Sequence, residues 1–211
     1  MLHRLRQIFR PDADTLAAEF WALFAANEAV FRTLPHTSPA EIKRNLKLLE
    51  QPLHAFHPYL GILFGHPGDD RHELIVTAHS EPRHFPAADA LVAAAPVIPN
   101  WNVHALRPPM PADTTVHVDE HGFVPALVTF AVVRVPQEPE ALALHVFHEA
   151  YPTEQQDLHD DATALLLEAV LGERALARVR YVQTRPMSAE VPANVLRPLR
   201  SLPQVVLSQK Q

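Results

Sequence analysis

The chain has no cysteine among its 211 residues. Disulfides, cysteine-based zinc sites, iron–sulfur clusters and thiol nucleophiles are thereby excluded. A small secreted scaffold held by disulfide staples is excluded with them. Glycine is almost as scarce, at five residues. That leaves no glycine-rich phosphate loop and no GxGxxG fingerprint. No GxSxG elbow and no Ser-x-x-Lys motif occurs either. On these grounds no nucleotide, haem or iron–sulfur cofactor is expected. No run of about 20 apolar residues is present, so no membrane span is expected. Positive charge is also in deficit. The net charge of −6 argues against a nucleic-acid partner, because neutralising phosphates needs a basic face. At the N-terminus, Arg4, Arg6 and Arg10 precede Asp12, Asp14 and Glu19, which interrupt any apolar core of a signal peptide. Leu2, Leu5, Ile8 and Phe9 read as a lead-in to the body. The expected home is cytoplasmic.

What remains is an ordinary globular composition, 47% hydrophobic and 20% charged, in a length that suits one domain over residues 1–211. The first helix is expected from near Asp14 to Leu34, with Leu16, Phe20, Leu23, Phe24 and Phe31 at helical spacing and Pro35 ending it. Its aromatics, Phe20, Trp21 and Phe24, read as core. Ser38-Pro39-Ala40-Glu41 is a capping box that opens a second helix. Pro52 is expected to end that helix near Gln51. These two helices make a helical part over 12–54.

Beyond residue 58 the period changes. Residues 59–65 and 73–78 read as the strands of a hairpin around a turn at 66–70. A short helix over 86–95 and a strand over 101–107 follow. Residues 111–124 are mixed, with a small hairpin around Glu120-His121-Gly122. Strands are then expected over 126–135 and 141–148. Thr153-Glu154-Gln155-Gln156 reads as a second capping box. It opens a helix with Leu158, Ala162, Leu165, Leu166 and Ala169 on one face and Gly172 just past its end. A last strand spans 178–185, and a proline-rich tail occupies 188–211.

Strand, turn, strand, helix, strand thus occurs twice, over 59–107 and over 126–185. Each copy closes on a similar string, Arg107-Pro108-Pro109-Met110 and Arg185-Pro186-Met187. The expected class is α+β. Two N-terminal helices precede two ββαβ units, at 59–110 and 126–187, which form one mostly antiparallel sheet covered by helices.

Fourteen histidines are the oddest compositional fact. His117, Asp119, Glu120 and His121 offer ligands within five residues. His145 and His148 lie three apart in a strand, which sends their rings to opposite faces. His117, Asp119, His121, His145 and His148 are the candidate metal ligands, although no HExxH-like spacing is present. His54 and His57 share a helix face, and His72, Glu73 and His79 form another set. Glu81-Pro82-Arg83-His84 is a polar cluster on a loop, where function concentrates. Paired acids at Asp69-Asp70 and Asp160-Asp161 diverge or are solvated, so neither reads as an acid/base pair.

Residues 135–172 contain no Lys or Arg but carry Glu138, Glu140, Glu149, Glu154, Asp157, Asp160, Asp161 and Glu168. Residues 174–200 carry six arginines. The two stretches either complement each other or leave an acidic face for a basic protein partner. Glu149, Glu154, Asp157, Asp160 and Asp161 are the candidates for such a face.

Phe20-Trp21-Ala22-Leu23-Phe24-Ala25-Ala26-Asn27-Glu28 resembles the FWxWFxxNE-like opening of a bacterial family with no assigned activity. Leu23 stands where that pattern has its second Trp. Glu73 to Glu81, Phe85-Pro86, Val92 to Pro96, Trp101 and Ala105 to Pro108 resemble the family's central block. The resemblance spans about residues 16–200. It implies no activity, cofactor or site residue. Two functions are therefore carried forward: a non-enzymatic protein acting through a protein-binding surface, regulatory or immunity-like, and a small-molecule or metal-dependent enzyme with a dispersed His/acid site.

Overall fold

A computed structural model describes residues 11–34, 37–65, 71–111, 113–149, 151–187 and 191–208. The N-terminal lead-in, Pro35, and the 66–70 turn with Asp69-Asp70 lie outside the described residues. The class is α+β. Where the length suggested a single domain, the chain divides into two compact units, Met1–Leu106 and Arg107–Gln211. The strands form a three-stranded sheet, a hairpin and a separate four-stranded sheet. The expectation of one sheet shared by both repeats is thereby corrected: each repeat closes hydrogen bonds among its own strands and buries its own core.

In the first unit, helix α1 (Ala13–Ala26) starts at Asp12, whose side chain accepts from the Thr15 amide at 2.7 Å. The expected single helix to Leu34 breaks at Asn27. Its side-chain amide donates to the Leu23 carbonyl at 2.8 Å and its backbone N–H closes on Phe24 and Ala25, which ends α1. Helix α2 (Glu28–Arg32) follows. Helix α3 (Pro39–Phe56) begins with the capping box formed by Ser38 and Glu41. It runs past Pro52 to Phe56. The carbonyl deprived of a donor there belongs to Leu48, a 44% exposed residue, so the missing bond falls on the open side of the helix.

Strand β1 (Gly61–Gly65) pairs antiparallel with β2 (His72–Thr77). Helix α4 (Phe85–Ala93) carries the chain across to β3 (Trp101–Ala105), which pairs parallel with β2. The core here is aromatic. Phe24 stacks on Phe31 at 5.2 Å and meets Trp101 edge-on at 5.1 Å. The Trp21 indole N–H donates to the Leu91 carbonyl at 2.8 Å, and that of Trp101 to Glu28 at 2.7 Å. The polar ends of both large rings are thus satisfied, as burial demands.

The second unit begins with a hairpin of β4 (Val116–Val118) and β5 (His121–Phe123). Strands β6 (Val128–Val133) and β7 (Leu142–His148) are antiparallel, and β8 (Val179–Pro186) runs parallel to β7 after helix α5 (Gln156–Leu176). The second ββαβ unit therefore repeats the connectivity of the first. The tail adds β9 (Arg197–Pro198) beside β6, then helix α6 (Leu202–Ser208). Leu142, Leu144 and Val146 of β7 pack with Leu166, Leu167 and Val170 of α5 and with Leu199, Leu202 and Val206 of the tail.

Three expectations are corrected in this unit. Thr153 opens a 3₁₀ turn, Thr153–Gln155, so the second capping box does not head α5, which starts at Gln156 without a side-chain cap. Of the expected face of α5, Ala162, Leu166 and Ala169 are buried, but Leu165 is exposed, and His159, Thr163, Leu167 and Val170 complete the buried stripe. Gly172 has the expected positive φ (66°, with ψ 169°) but sits at a kink, after which the helix resumes to Leu176. A Cβ there would lie 2.7 Å from the Pro109 nitrogen and 2.8 Å from the Arg107 carbonyl oxygen. The Arg107–Met110 segment fills the notch. Glu173 N–H donates to the Arg107 carbonyl and Met110 N–H to that of Ala169.

The similar Arg-Pro endings are not equivalent. Thr77 and His148 hold matching ends of their hairpins, opposite Gly61 and Val128. Val76 then corresponds to Phe147, whose neighbour is Arg185, whereas Val76 pairs with Ala105. Arg107 is two residues further on.

Candidate ligand pocket in the second unit

Even-numbered residues of β7 face the helix-covered core, and His148 ends that row. It is 3% exposed. Its Nε2 shares a hydrogen bond with the Thr163 hydroxyl at 2.8 Å, across to the buried stripe of α5. His145, three residues earlier, projects to the other face, beside Phe147 and Gln183. The odd spacing separates the two rings, as strand parity requires.

Around His148 lies an aromatic cluster. The His159 ring is 5.1 Å away and Phe123 5.9 Å, and Tyr151 lies 4.3 Å from His159. His159 Nδ1 is 2.9 Å from the Gln155 carbonyl oxygen, within the turn that starts α5. A cavity of about 500 Å³ opens onto this cluster. Its walls are chiefly Phe123, Leu127, Val128 and Leu158, with Glu120 and Glu149 exposed beside them. Burial, with His159 beside it, pushes the proton affinity of His148 down to about 4, against a smaller upward pull from Asp160. His148 is therefore neutral at pH 7. Burial and the carboxylates of Asp160 and Asp157 raise the Tyr151 phenol, so it stays protonated.

The metal expectation fares differently. Among the described residues no three His, Asp or Glu side chains converge to hold a cation. His117, Asp119 and His121 are exposed on the β4–β5 hairpin, Asp119 with φ 51° at its turn. His121 does reach the cavity that His148 floors, and Glu149 joins its wall. The pocket thus gathers four residues that the sequence singles out, Glu120, His121, His148 and Glu149. His159 was not flagged. The signal was available: it precedes Ala162, Thr163 and Leu166 at helical spacing, a ring buried in an apolar stripe.

The acidic candidates Glu149, Glu154, Asp157, Asp160 and Asp161 are all exposed. Glu138 instead meets Arg180 of the arginine-rich stretch at 3.7 Å, and Glu168 is in direct contact with Arg107, which lies outside that stretch.

No protein-family model, no curated protein and no solved structure matches the chain. Among the described residues no helix is long and apolar enough to cross a membrane.

Proposed function

We propose that the protein is a cytoplasmic regulatory module of the bacterial family its opening helix resembles, and that its second unit binds a small, mainly apolar molecule, neutral or cationic. One observation carries this reading: a buried, neutral His148 at the carboxyl end of β7, flooring a cavity of about 500 Å³ with carboxylates beside its walls. Cavities of this size, apolar with a few convergent polar groups, are the usual form of a small-molecule site. The carboxyl ends of parallel strands are where such sites collect. The carboxylates disfavour anions. His148 Nε2 and His159 Nδ1 are taken up in bonds to Thr163 and Gln155, which fix the two rings.

The test is a ligand screen read by NMR on the full chain, with Leu127→Arg as the blocking variant. Leu127 lines the cavity yet is 54% exposed, so the substitution fills the mouth without burying a charge. Ligands are expected to shift Phe123, His148 and His159 and to lose about tenfold or more in affinity in the variant. Equal binding in both proteins overturns the reading, as does a screen without ligands.

A second reading places a basic protein partner on the exposed acids. Asp157, Asp160 and Asp161 share one side of α5 by their spacing. Reversing these three to Lys is expected to abolish capture of such a partner and to remove its salt dependence. Capture unaffected by the reversals would sink this reading.

A further inference from the structure

We propose that the first unit holds an independent ligand site, for a compact oxyanion, in the cavity bounded by Tyr59, His79 and His84. This cavity, of about 290 Å³, occupies the place in the first ββαβ repeat that the His148 pocket occupies in the second. Each is lined by the residues leading into the first strand of its repeat and by the loop that leaves the second strand for the helix. The chemistry of the first is its own.

His84 is 8% exposed, and its Nε2 is buried with no hydrogen-bond partner among the described residues. An imidazole nitrogen left so is costly unless something fills the place opposite it. Two neighbouring rings pack against it. Tyr59 stacks on it at 4.8 Å and 18°, and the His57 ring lies 4.9 Å away. His57 Nδ1 accepts from the Tyr59 amide at 3.4 Å, which joins the holding groups to one another. His84 also stands at the N-cap position of α4 without making a side-chain cap bond, so capping does not explain it.

The opposite wall is strained. His79 and Ser80 have φ of 54° and 60°, two successive residues in the left-handed region that other side chains avoid. Such strain persists where the surroundings impose it, and it gathers at sites. Here Gly61 makes room. A Cβ at that position would sit 2.9 Å from His79 Nε2. The backbone conformation and the missing side chain together set the His79 ring beside the cavity. His54 and Arg83 complete a lining in which donors outnumber the single carboxylate, Glu81, itself 3.6 Å from Arg83.

A cavity this small, rich in imidazole and guanidinium, suits a group with two or three anionic oxygens, a carboxylate or a phosphate. Both present the same chemistry to His84 and Arg83.

The experiment titrates the full-length chain with inorganic phosphate, with acetate and, as control, with chloride at equal ionic strength. Imidazole nitrogen resonances are followed by NMR. Saturable shifts at His84 and His79 are expected with phosphate, acetate or both, and the preferred probe tells which oxyanion the site takes. His84→Phe keeps the stack on Tyr59 and removes Nε2. Arg83→Gln alters only an exposed side chain. Each is expected to weaken the preferred probe about tenfold, while His148 resonances stay unmoved by that probe. Shifts equal to those with chloride, or undiminished binding in both variants, overturn the proposal. Thermal melts of the variants separate lost binding from lost folding. Failure here leaves the His148 pocket untouched, since Leu127→Arg tests that site alone.

Discussion

The two ββαβ units share a connectivity and differ in almost everything placed on it. In the first, β2 is flanked by β1 and β3 and the core is built from Phe20, Trp21, Phe24, Phe31, Phe64 and Trp101. In the second, β7 is flanked by β6 and β8, and the core is mostly aliphatic, with Phe130 and Phe147 as its buried phenyl rings. The cavities differ in the same spirit. One is small and lined by donors. The other is larger and apolar, with a neutral imidazole on its floor. The lesson is that the repeat fixes where a cavity forms, at the carboxyl end of the middle strand. The side chains then decide what the cavity holds.

Four substitutions or conditions sharpen that contrast, each read by residue-resolved hydrogen exchange under denaturant. Phe24→Ala removes a fully buried ring from the aromatic core and is expected to destabilise the first unit by about 4 kcal/mol. A loss below about 1 kcal/mol would show that the aromatic cluster is loosely packed. Gly172→Ala is expected to cost the second unit about 3 kcal/mol, from the φ of 66° and the approach of Pro109. An unchanged second unit would disprove the notch.

Acid should separate the units further. The folded state holds His148 at about 4, below the value near 6.5 of the unfolded chain. Between these values the unfolded chain binds more protons. Stability in the second unit therefore falls as the pH drops from about 6.5, and the loss is complete near 4. Its size is roughly 2 kcal/mol after allowance for screening. His145, in the same unit, is lowered by burial and adds to the loss, whereas His57, also lowered by burial, puts a smaller acid sensitivity into the first unit. The measurement that isolates His148 is the difference in acid slope between the parent chain and His148→Phe, and equal slopes would refute its buried neutrality. The smallest effect is expected from Ser38→Ala, about 1 kcal/mol, confined to α3 because only that capping box is complete.

Periodicity showed the helical character of the N-terminal part, the strand pairs and the doubled order of elements, since these rest on local patterns of burial. The capping box at Ser38 was legible because Pro39 and Glu41 reinforced it. Thr153 shows the limit, for Thr153-Glu154-Gln155-Gln156 also fits a capping box yet leads into a 3₁₀ turn before α5. Periodicity makes Asn27 one more residue of a helix, although its side chain competes for the Leu23 carbonyl and stops α1. The shared Arg-Pro strings pointed to the right repeat for the wrong reason, since register sets them two residues apart. For the site, parity separated His145 from His148 in advance. The meeting of His121, His148 and His159 was beyond reach, because it depends on the β4–β5 hairpin, β7 and α5 coming together.

The short strand β9 has a bearing on self-association. It covers β6 with Arg197 and Pro198, paired to Phe130 and Thr129. A proline cannot donate to a further strand, and an exposed arginine resists stacking against its like. The edge is thereby blocked where β9 lies, at Thr129 and Phe130. Cutting the chain before β9 would free the backbone of Thr129 and Phe130 and open the β-branched edge of β6, Val128–Val133, along its length, an edge of the sort that templates fibrils.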